Sequence, residues 1–440
     1  MLLAENLVKD LQAIISKDRI KEEETNPHIL GNSGKVNVYP VTEQEVSKIL
    51  AYANEHGKSV IIEGGGTKRG FGGVEEYADI LLSMAQFKGV VEHTPGDMTL
   101  TVKSGTTFKE LQDYLSNYNQ QLSLDPCWPE FSTIGGIVAS NESGPKRIGY
   151  GSSRDAVIGL RMVYPDGTVI RSGGKVVKNV AGYDMNKLFI GAMGTLGVMT
   201  EVTVKLRPIP KYESLILLTF KEHRLEDMRQ FSKELLDSPL EPVACELLSP
   251  SLSKKLTGED SYIVAISFED VENSVHYQEE YINKIKPSFT NLKLLAQGEA
   301  KNFWNLFYTM YPNGFEKESK TEASLKIGAV NLTVLDIIKA CHHMTEYFDV
   351  LVDAHGGLGH GLASVNVKGE SGAVIEAIEH IRKIVRKLGG YVVVKHLPHT
   401  LRQKIEVWGE KPTYFFLLEG IKSKIDPKKT LNPKRFVGGL

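Results

Sequence analysis

The segment "SVIIEGGGTKRG", Ser59 to Gly70, constrains the fold more than any other. An apolar run ends in Gly64, Gly65 and Gly66, followed by Thr67, Lys68 and Arg69. Glycines without a Cβ let backbone N–H groups crowd around an anion, and two cations follow them. A phosphate cradle and a tight turn both fit this pattern. Two familiar phosphate motifs do not. A G-x-G-x-x-G run starting at Gly64 would need glycine where Arg69 stands, and the loop of the nucleoside-triphosphatases would need lysine where Phe71 follows Gly70.

The chain has 440 residues, enough for two or three domains. Before about position 210 it reads as short strands joined by glycine-rich turns, with few long helices. Thr42 and Glu45 form a T-x-x-E capping box ahead of Val46, Ile49, Leu50 and Ala53, which recur at helical spacing. "GLRMVYPDGTVIRS" predicts a hairpin turning at Pro165, Asp166 and Gly167. "LRPIPKYES", with Pro208 and Pro210, marks a boundary. Beyond it, strands such as "ESLILLTF", "SYIVAISFE", "GLASVNVKGE" and "GYVVVK" alternate with helices near 224–237 and 271–284, "LTVLDIIKACHHMTEYF" and "SGAVIEAIEHIRKIVRKLG". That order predicts an α+β domain of antiparallel strands with helices on one face, followed by a helix near 413–424 and an irregular tail.

Charge is balanced, with 52 Lys+Arg against 54 Asp+Glu, which argues against a general nucleic-acid binder. No apolar run reaches membrane-spanning length. The N-terminus is charged and amphipathic, without the features of a signal peptide, so a cytoplasmic protein is expected. Cys127, Cys245 and Cys341 lie far apart. They cannot alone hold an iron–sulfur cluster or zinc, and are expected to be reduced, buried thiols. His342 and His343 diverge by about 100° on a helix, so "CHH" reads as surface. Trp304 and Trp408 read as core or interface residues.

Four blocks occur in order: "EGGGTK"; Thr133-Ile134-Gly135-Gly136; Tyr150-Gly151-Ser152-Ser153-Arg154-Asp155-Ala156-Val157-Ile158-Gly159; and Gly191 to Glu201. Together, over about 36–208, they resemble the FAD-binding domain of the vanillyl-alcohol oxidase type of flavoprotein. The resemblance implies an α+β fold: a two-subdomain FAD-binding domain followed by an α+β, ferredoxin-like C-terminal cap. The implied boundaries are 1–30 for an N-terminal helical segment, 31–208 for the FAD-binding domain, 209–425 for the cap and 426–440 for a tail returning to the flavin domain. It further implies that Gly64, Gly65, Gly66 and Thr67 donate to the FAD pyrophosphate, with Lys68 and Arg69 supplying charge. Thr133, Gly135, Gly136 and Ser140 would line the flavin and diphosphate, Gly151 would belong to the cofactor site, and Val198 would meet the adenine side through its backbone. Many members tether the flavin through a histidine just after the loop glycines. None stands there, so the FAD is expected to be non-covalent.

Lys178, Asn179, Val180, Ala181, Gly182, Tyr183 and Asp184, with the tail residues Asp426, Pro427, Leu431, Asn432, Pro433 and Phe436, resemble the glycolate oxidase and D-lactate dehydrogenase branch. Within it the chain is most like the FAD-binding subunits of bacterial glycolate oxidases. Catalytic members hold a metal with H-x-G-D-G-N-L-H and a downstream E-H-G. Here "AHGGLGHGLASVNV" keeps His355, has Leu358 for the aspartate and Leu362 for the second histidine, and places His360 two residues early. Lys395 stands for the glutamate, with His396 beside it. Such a set is a poor divalent-metal site, and no metal is expected.

Two arrangements follow from the resemblance. In one, the chain binds FAD but a metal-bearing paralogue oxidises the substrate, and its own flavin relays electrons or is structural within a complex containing a larger flavoprotein subunit and an iron–sulfur subunit. Alternatively, His355, His360, Lys395 and His396 form a metal-free site in which Lys395 binds a substrate carboxylate and a histidine acts as base. The first is carried forward: the FAD-binding subunit of an oxidoreductase acting on a small 2-hydroxy acid such as glycolate, passing electrons to its partners and touching membranes at most peripherally through them. A self-sufficient D-lactate or related dehydrogenase, and a non-catalytic assembly subunit with structural FAD, are the rivals.

Overall fold

The helix Glu43–Glu55 starts where its capping box predicts. Thr42 Oγ1 accepts from the Glu45 amide and Glu45 Oε2 accepts from the Thr42 amide, both at 3.2 Å. Its buried stripe of Val46, Ile49, Leu50 and Ala53 packs on Val36, Val38, Ile80 and Leu82 of a sheet. That sheet contains β1 (Ile20–Glu22), β2 (Ser33–Val38), β3 (Val60–Glu63) and β4 (Tyr77–Ser83), in the order β1-β2-β4-β3, with β4 parallel to both β2 and β3. The computed structural model describes residues 2–22, 28–175, 183–315 and 320–440. Lys178 to Gly182, singled out above, lie outside the described residues.

A second sheet is antiparallel: β5 (Val90–Thr94), β6 (Thr99–Lys103), β7 (Val157–Val163), β8 (Val169–Gly173) and β9 (Val198–Lys205), ordered β5-β6-β9-β7-β8. β7 and β8 form the predicted hairpin, with Gly167 at φ +83° in its turn. The helices Phe108–Ser116 and Ile134–Ser140 share its core through Leu111, Leu115, Ile137 and Val138.

The rest builds one eight-stranded antiparallel sheet: β10 (Tyr212–Phe220), β11 (Ala244–Leu248), β12 (Tyr262–Asp270), β13 (Asn291–Ala296), β14 (Thr321–Gly328), β15 (Val350–Gly357), β16 (Leu362–Gly369) and β17 (Tyr391–His396). The order β13-β10-β12-β11-β15-β16-β14-β17 is two four-stranded units side by side, each wound as a split βαβ with two helices on one face. The units meet along a seam where β11 pairs with β15 over only three residue pairs, Glu246↔Gly357, Leu247↔Gly356 and Leu248↔His355.

Strand alternation decides what each face carries. Cys245, Leu247, Val352, Ala354, Leu325, Ile327, Ala363, Val365, Val392 and Val394 enter the core beneath the covering helices. Their alternates Glu246, His355, Lys326 and Ser364 therefore point to the opposite face, where Phe303, Trp304 and Phe307 pack on Leu248 and Ala265. Trp304 is core, with Nε1 donating to Ser267 Oγ at 2.9 Å.

The chain returns to the two-sheet N-terminal part before residue 426, the boundary read from sequence. The His399 amide donates to Ile29 O at 3.0 Å, Trp408 stacks on Phe71 at 4.9 Å, and Ile421 and Ile425 of the helix Phe415–Ile425 pack in the core of the second sheet. Among the described residues, no helix is long and apolar enough to cross a membrane.

Candidate active site

β3 delivers the chain to the glycine loop, and the tail fixes where it ends. Val60 bridges to Leu431 in parallel, Asn432 Oδ1 accepts from the Ile62 amide at 2.9 Å, and Asn432 Nδ2 donates to Met193 O at 2.7 Å. Asn432 thus joins the strand end, the tail and the Met193–Gly194 turn. The tail is locked in turn by Lys422, whose Nζ lies 2.6 Å from Asp426 Oδ2 inside the fold.

The loop glycines answer to close packing by protein on at least one side. A Cβ on Gly64 would sit 2.2 Å from Thr133 Oγ1, and one on Gly65 would sit 1.7 Å from Phe131 O. The loop therefore lies flat on segment 131–133. Thr133 caps the helix Ile134–Ser140, accepting from the Gly136 amide at 3.2 Å. Gly135 donates to Ser104 O at 2.8 Å, and a Cβ there would meet Ser104 Cβ at 2.7 Å.

Between these parts lies a cavity. Gly64, Gly65, Gly66, Thr67, Lys68, Arg69, Thr133, Gly135, Gly136 and Ser140 all line it, together with Ser104, Glu142, Gly194, Gly197, Asn432 and Arg435. Bare backbone along one wall and a buried guanidinium, Arg435, fit a long cofactor carrying a diphosphate.

Some expected roles change. Lys68 Nζ lies 2.8 Å from Glu142 Oε1, and Arg69 is 2.5 Å from Glu63 Oε2, so both loop cations already have carboxylate partners. Ser140 Oγ donates to Gly136 O at 2.8 Å, inside its own helix. Gly151 is outside the cavity wall. It ends the short helix Arg147–Tyr150 at φ +79°, against Asp155. Val198 faces the core of the first sheet, while its neighbours Gly197 and Met199 line the cavity.

The seam of the large sheet carries a second constellation. His355 Nδ1 lies 2.5 Å from Glu246 Oε1 across β11 and β15, and the Tyr311 hydroxyl contacts His355 Nε2. Phe307 closes on the His355 ring at 4.8 Å, and Trp128 Nε1 holds Tyr311 O at 2.9 Å. Burial, with help from Lys395, pushes the imidazole down to about 3, and burial pushes the Glu246 carboxyl up to about 8. Burial also raises the Tyr311 phenol well above its ordinary value. All three groups are thereby driven toward their neutral forms.

Of the four catalytic candidates, His355 and Lys395 belong to this constellation. Lys395 occupies a bulge in β17, where Leu325 pairs with Val394 and Ser324 with His396, so the extra residue is re-aimed. It acts electrostatically on both His355 and the cavity residue Glu142. His360 acts electrostatically on Glu246, and its buried Nε2 has no hydrogen-bond partner among the described residues. The expectation for His396 is corrected. The bulge turns its ring behind the glycine loop, where a Cβ on Gly70 would come within 2.7 Å of Nδ1. Burial, then Arg402, pushes it down to about 3. Arg402 itself donates to the carbonyls of Gly70, Gly73, Leu30 and Leu397, stapling this end of the sheet to the loop.

Sequence reasoning missed Glu246 and Tyr311. Only the glutamate in "ACELL", an acid inside an apolar run, offered a signal. Among the described residues, no group of three or more His, Cys, Asp and Glu is placed to hold a metal ion. Cys127, Cys245 and Cys341 are buried and free, their thiols each pushed up to about 12 by burial.

The glycine-walled cavity lies in the two-sheet body, and the acid–base cluster lies on one face of the large antiparallel sheet. The sequence model of the FAD binding domain family matches residues 35–173, so that part of the chain is an FAD-binding domain. Over 423 residues the chain is 25% identical to the glycolate oxidase subunit GlcD of Bacillus subtilis, covering 90% of this chain and 87% of that protein. It is 26% identical over 469 residues to a D-lactate dehydrogenase of Archaeoglobus fulgidus, covering 99% of each. In structure it resembles p-cresol methylhydroxylase with a TM-score of 0.78 over 98% of this chain and 96% of that one, at 14% identity. The fold is therefore that of the vanillyl-alcohol oxidase type.

Proposed function

We propose that the chain oxidises a 2-hydroxy acid to the 2-oxo acid at its own flavin, in a site without metal. The observation that carries this is the Tyr311–His355–Glu246 chain, with Lys395 acting electrostatically on both His355 and the cavity residue Glu142. Bound FAD, held non-covalently by the loop residues Gly64 to Arg69 and by Thr133 to Gly136, supplies the two-electron acceptor. Lys395 holds the substrate carboxylate. The 2-hydroxyl proton passes to Tyr311 as the Tyr311 proton moves to His355 Nε2, and Glu246, once ionised above about pH 8, steadies the imidazolium from Nδ1. Burial excludes water and keeps Tyr311 and His355 neutral before substrate arrives.

The relatives support a 2-hydroxy acid as the substrate class, since glycolate oxidase and D-lactate dehydrogenase both carry it in their names. A second reading rests on the likeness to a glycolate oxidase subunit. In it the chain is a cytoplasmic component that passes electrons to a larger flavoprotein subunit and an iron–sulfur subunit.

Anaerobic flavin absorbance separates the two. Full bleaching of the purified, FAD-loaded chain by a 2-hydroxy acid is expected. A flavin that no 2-hydroxy acid bleaches, in a folded yellow protein, overturns the self-contained site and leaves the relay subunit.

A further inference from the structure

The run His355 to Gly361, "HGGLGHG", carries a second histidine that the relay does not use. Gly357 lies directly opposite Glu246 across the seam. A side chain there would stand on the same sheet face as the Glu246 carboxyl, about 5 Å away between Cβ positions. The His360 ring fills that space instead: a Cβ on Gly357 would sit 2.1 Å from both Cε1 and Nε2 of His360. His360 is thereby the cross-strand neighbour of Glu246, although it lies beyond the end of β15.

The turn that swings it back is held on three sides. The Leu358 amide donates to Cys245 O at 2.9 Å, and the Gly361 amide to Gly357 O at 3.0 Å. A Cβ on Gly359 would come within 2.3 Å of Ile148 Cδ1, and Gly361, at φ +75°, lies against Ala329 O. The position of the ring is therefore set by backbone and not by its own rotamer alone.

Hydrogen bonding fixes which nitrogen carries the proton. The Leu362 amide donates to His360 Nδ1 at 3.2 Å, so Nδ1 offers its lone pair and the neutral ring is protonated on Nε2. That donor is buried and, among the described residues, has no acceptor. The Glu246 carboxyl is its complement. Oε1 meets His355 Nδ1, while Oε2 is buried and has no donor among the described residues. A donor and an acceptor, each unsatisfied, are neighbours on one face. One water between them satisfies both.

We propose that His360 is a positioning residue of the relay: through one water its Nε2–H holds Glu246 Oε2, which keeps Oε1 on His355 Nδ1 and favours the carboxylate over the neutral acid. The effect on rate rests on the proposed 2-hydroxy-acid oxidation, whereas the contact itself does not.

The surrounding groups leave this task to His360. His355, Tyr311, Asp125 and Cys245 also interact with Glu246, and none of them donates to Oε2. Burial pushes the Glu246 carboxyl up to about 8, and His360 acts against that shift. Burial lowers the His360 imidazole, opposed by Glu246 and reinforced by Arg147 and His355, so it serves as a neutral donor. A hydrogen bond to the charged form of an acid favours ionisation.

Infrared difference spectroscopy on the resting, FAD-loaded chain reads the Glu246 carboxyl, identified by the band that disappears in Glu246→Gln. Its ionisation midpoint is expected to rise by about one pH unit in His360→Leu, the tenfold effect of one hydrogen bond to a carboxylate. His360→Gln, whose amide keeps a donor at the Nε2 position, is expected to return most of the way to wild type. Flavin content and thermal melting show that each variant is loaded and folded. His360→Asn, too short to reach the Nε2 position, takes the place of a leucine variant that does not load. A midpoint unmoved by loss of the donor, or moved equally in His360→Gln, overturns the inference.

Stopped-flow flavin reduction by D-lactate or glycolate across pH separates the two levels. The acid limb of the rate–pH profile is expected to move up by the same amount as the infrared midpoint. A shifted infrared midpoint in a chain whose flavin no 2-hydroxy acid reduces supports the role of His360 and overturns the oxidation. Flavin reduction with both midpoint and acid limb unmoved in His360→Leu overturns the role of His360 and keeps the oxidation.

Discussion

His355 and Glu246 lie on neighbouring strands that belong to different four-stranded units, and their side chains meet at 2.5 Å across the seam. Each unit supplies half of the dyad, so the acid–base pair exists only because the two units share an edge. The seam pairs only three residues, and its short register places Leu248 opposite His355 and Glu246 two residues along, on the same face.

If that dyad drives the relay, Glu246→Gln should leave FAD bound and the protein folded while slowing substrate reduction of the flavin. A loss of about a hundredfold is expected, the usual contribution of a positioned proton-transfer group. Tyr311→Phe should lose at least as much, and the steep part of the rate–pH profile should flatten in both. Stopped-flow reduction across pH measures this. Wild-type rates with an unaltered profile in Glu246→Gln would remove Glu246 from the mechanism.

The glycine loop makes a sharper prediction than charge repulsion alone. Gly65→Asp would put a carboxylate against a pyrophosphate, but the Phe131 carbonyl already lies 1.7 Å from where any Cβ would stand. Gly65→Ala should therefore separate the loop from segment 131–133 and lose the cofactor. Flavin absorbance per mole of purified protein reports it, and a fully yellow, wild-type-stable Gly65→Ala chain would refute the packing argument.

Lys146 binds the flavin-binding part to the large sheet. Its Nζ reaches Glu213 Oε1 at 2.8 Å and Glu269 Oε1 at 2.5 Å, and Tyr150 donates to Glu269 Oε2 at 2.7 Å. Lys146→Met strands two largely buried carboxylates. Denaturant unfolding should show a loss of about 3 kcal/mol, typical of breaking a buried pair from one side. A loss under about 1 kcal/mol would mean that water or rearrangement replaces the lysine.

Glu45 gives a pH signature. The Arg19 guanidinium, aided by the Val41 and Thr42 amides, holds its carboxyl down to about 2. A depressed carboxylate contributes stability that is present above its unfolded value near 4.3 and lost as pH falls toward 2. Glu45→Gln keeps an acceptor for the Thr42 amide and should therefore cost about 1 kcal/mol at neutral pH, set by the solvent-screened pair with Arg19. Wild type and variant should converge as pH falls below about 4. Urea midpoints at pH 7, 5 and 3.5 would show it, and a constant difference would contradict the assignment.

Local chemistry was legible wherever neighbours in sequence are also partners in space. The Thr42–Glu45 box, the turn at Gly167 and the alternating strands of the second half need only a few adjacent residues to be specified. The glycine blocks were legible for the same reason, and they pointed to the cavity they line. His355 itself was found because it keeps the first histidine of the pattern in the branch that the chain resembles.

Its partners were not found, because no local pattern holds them. Glu246 is 109 positions away on a five-residue strand that reads as part of an apolar run, and Tyr311 is 44 positions away beyond a helix. His396 looked like the neighbour of Lys395 and is not, because one bulge residue sends the two side chains to different places. Propensity, capping and turn chemistry act over a few residues, so strands, helices and stretches of bare backbone can be read from the chain order alone. Which polar groups meet is settled when the elements pack. Those outcomes depend on strand order, register and burial, which follow from packing the whole chain.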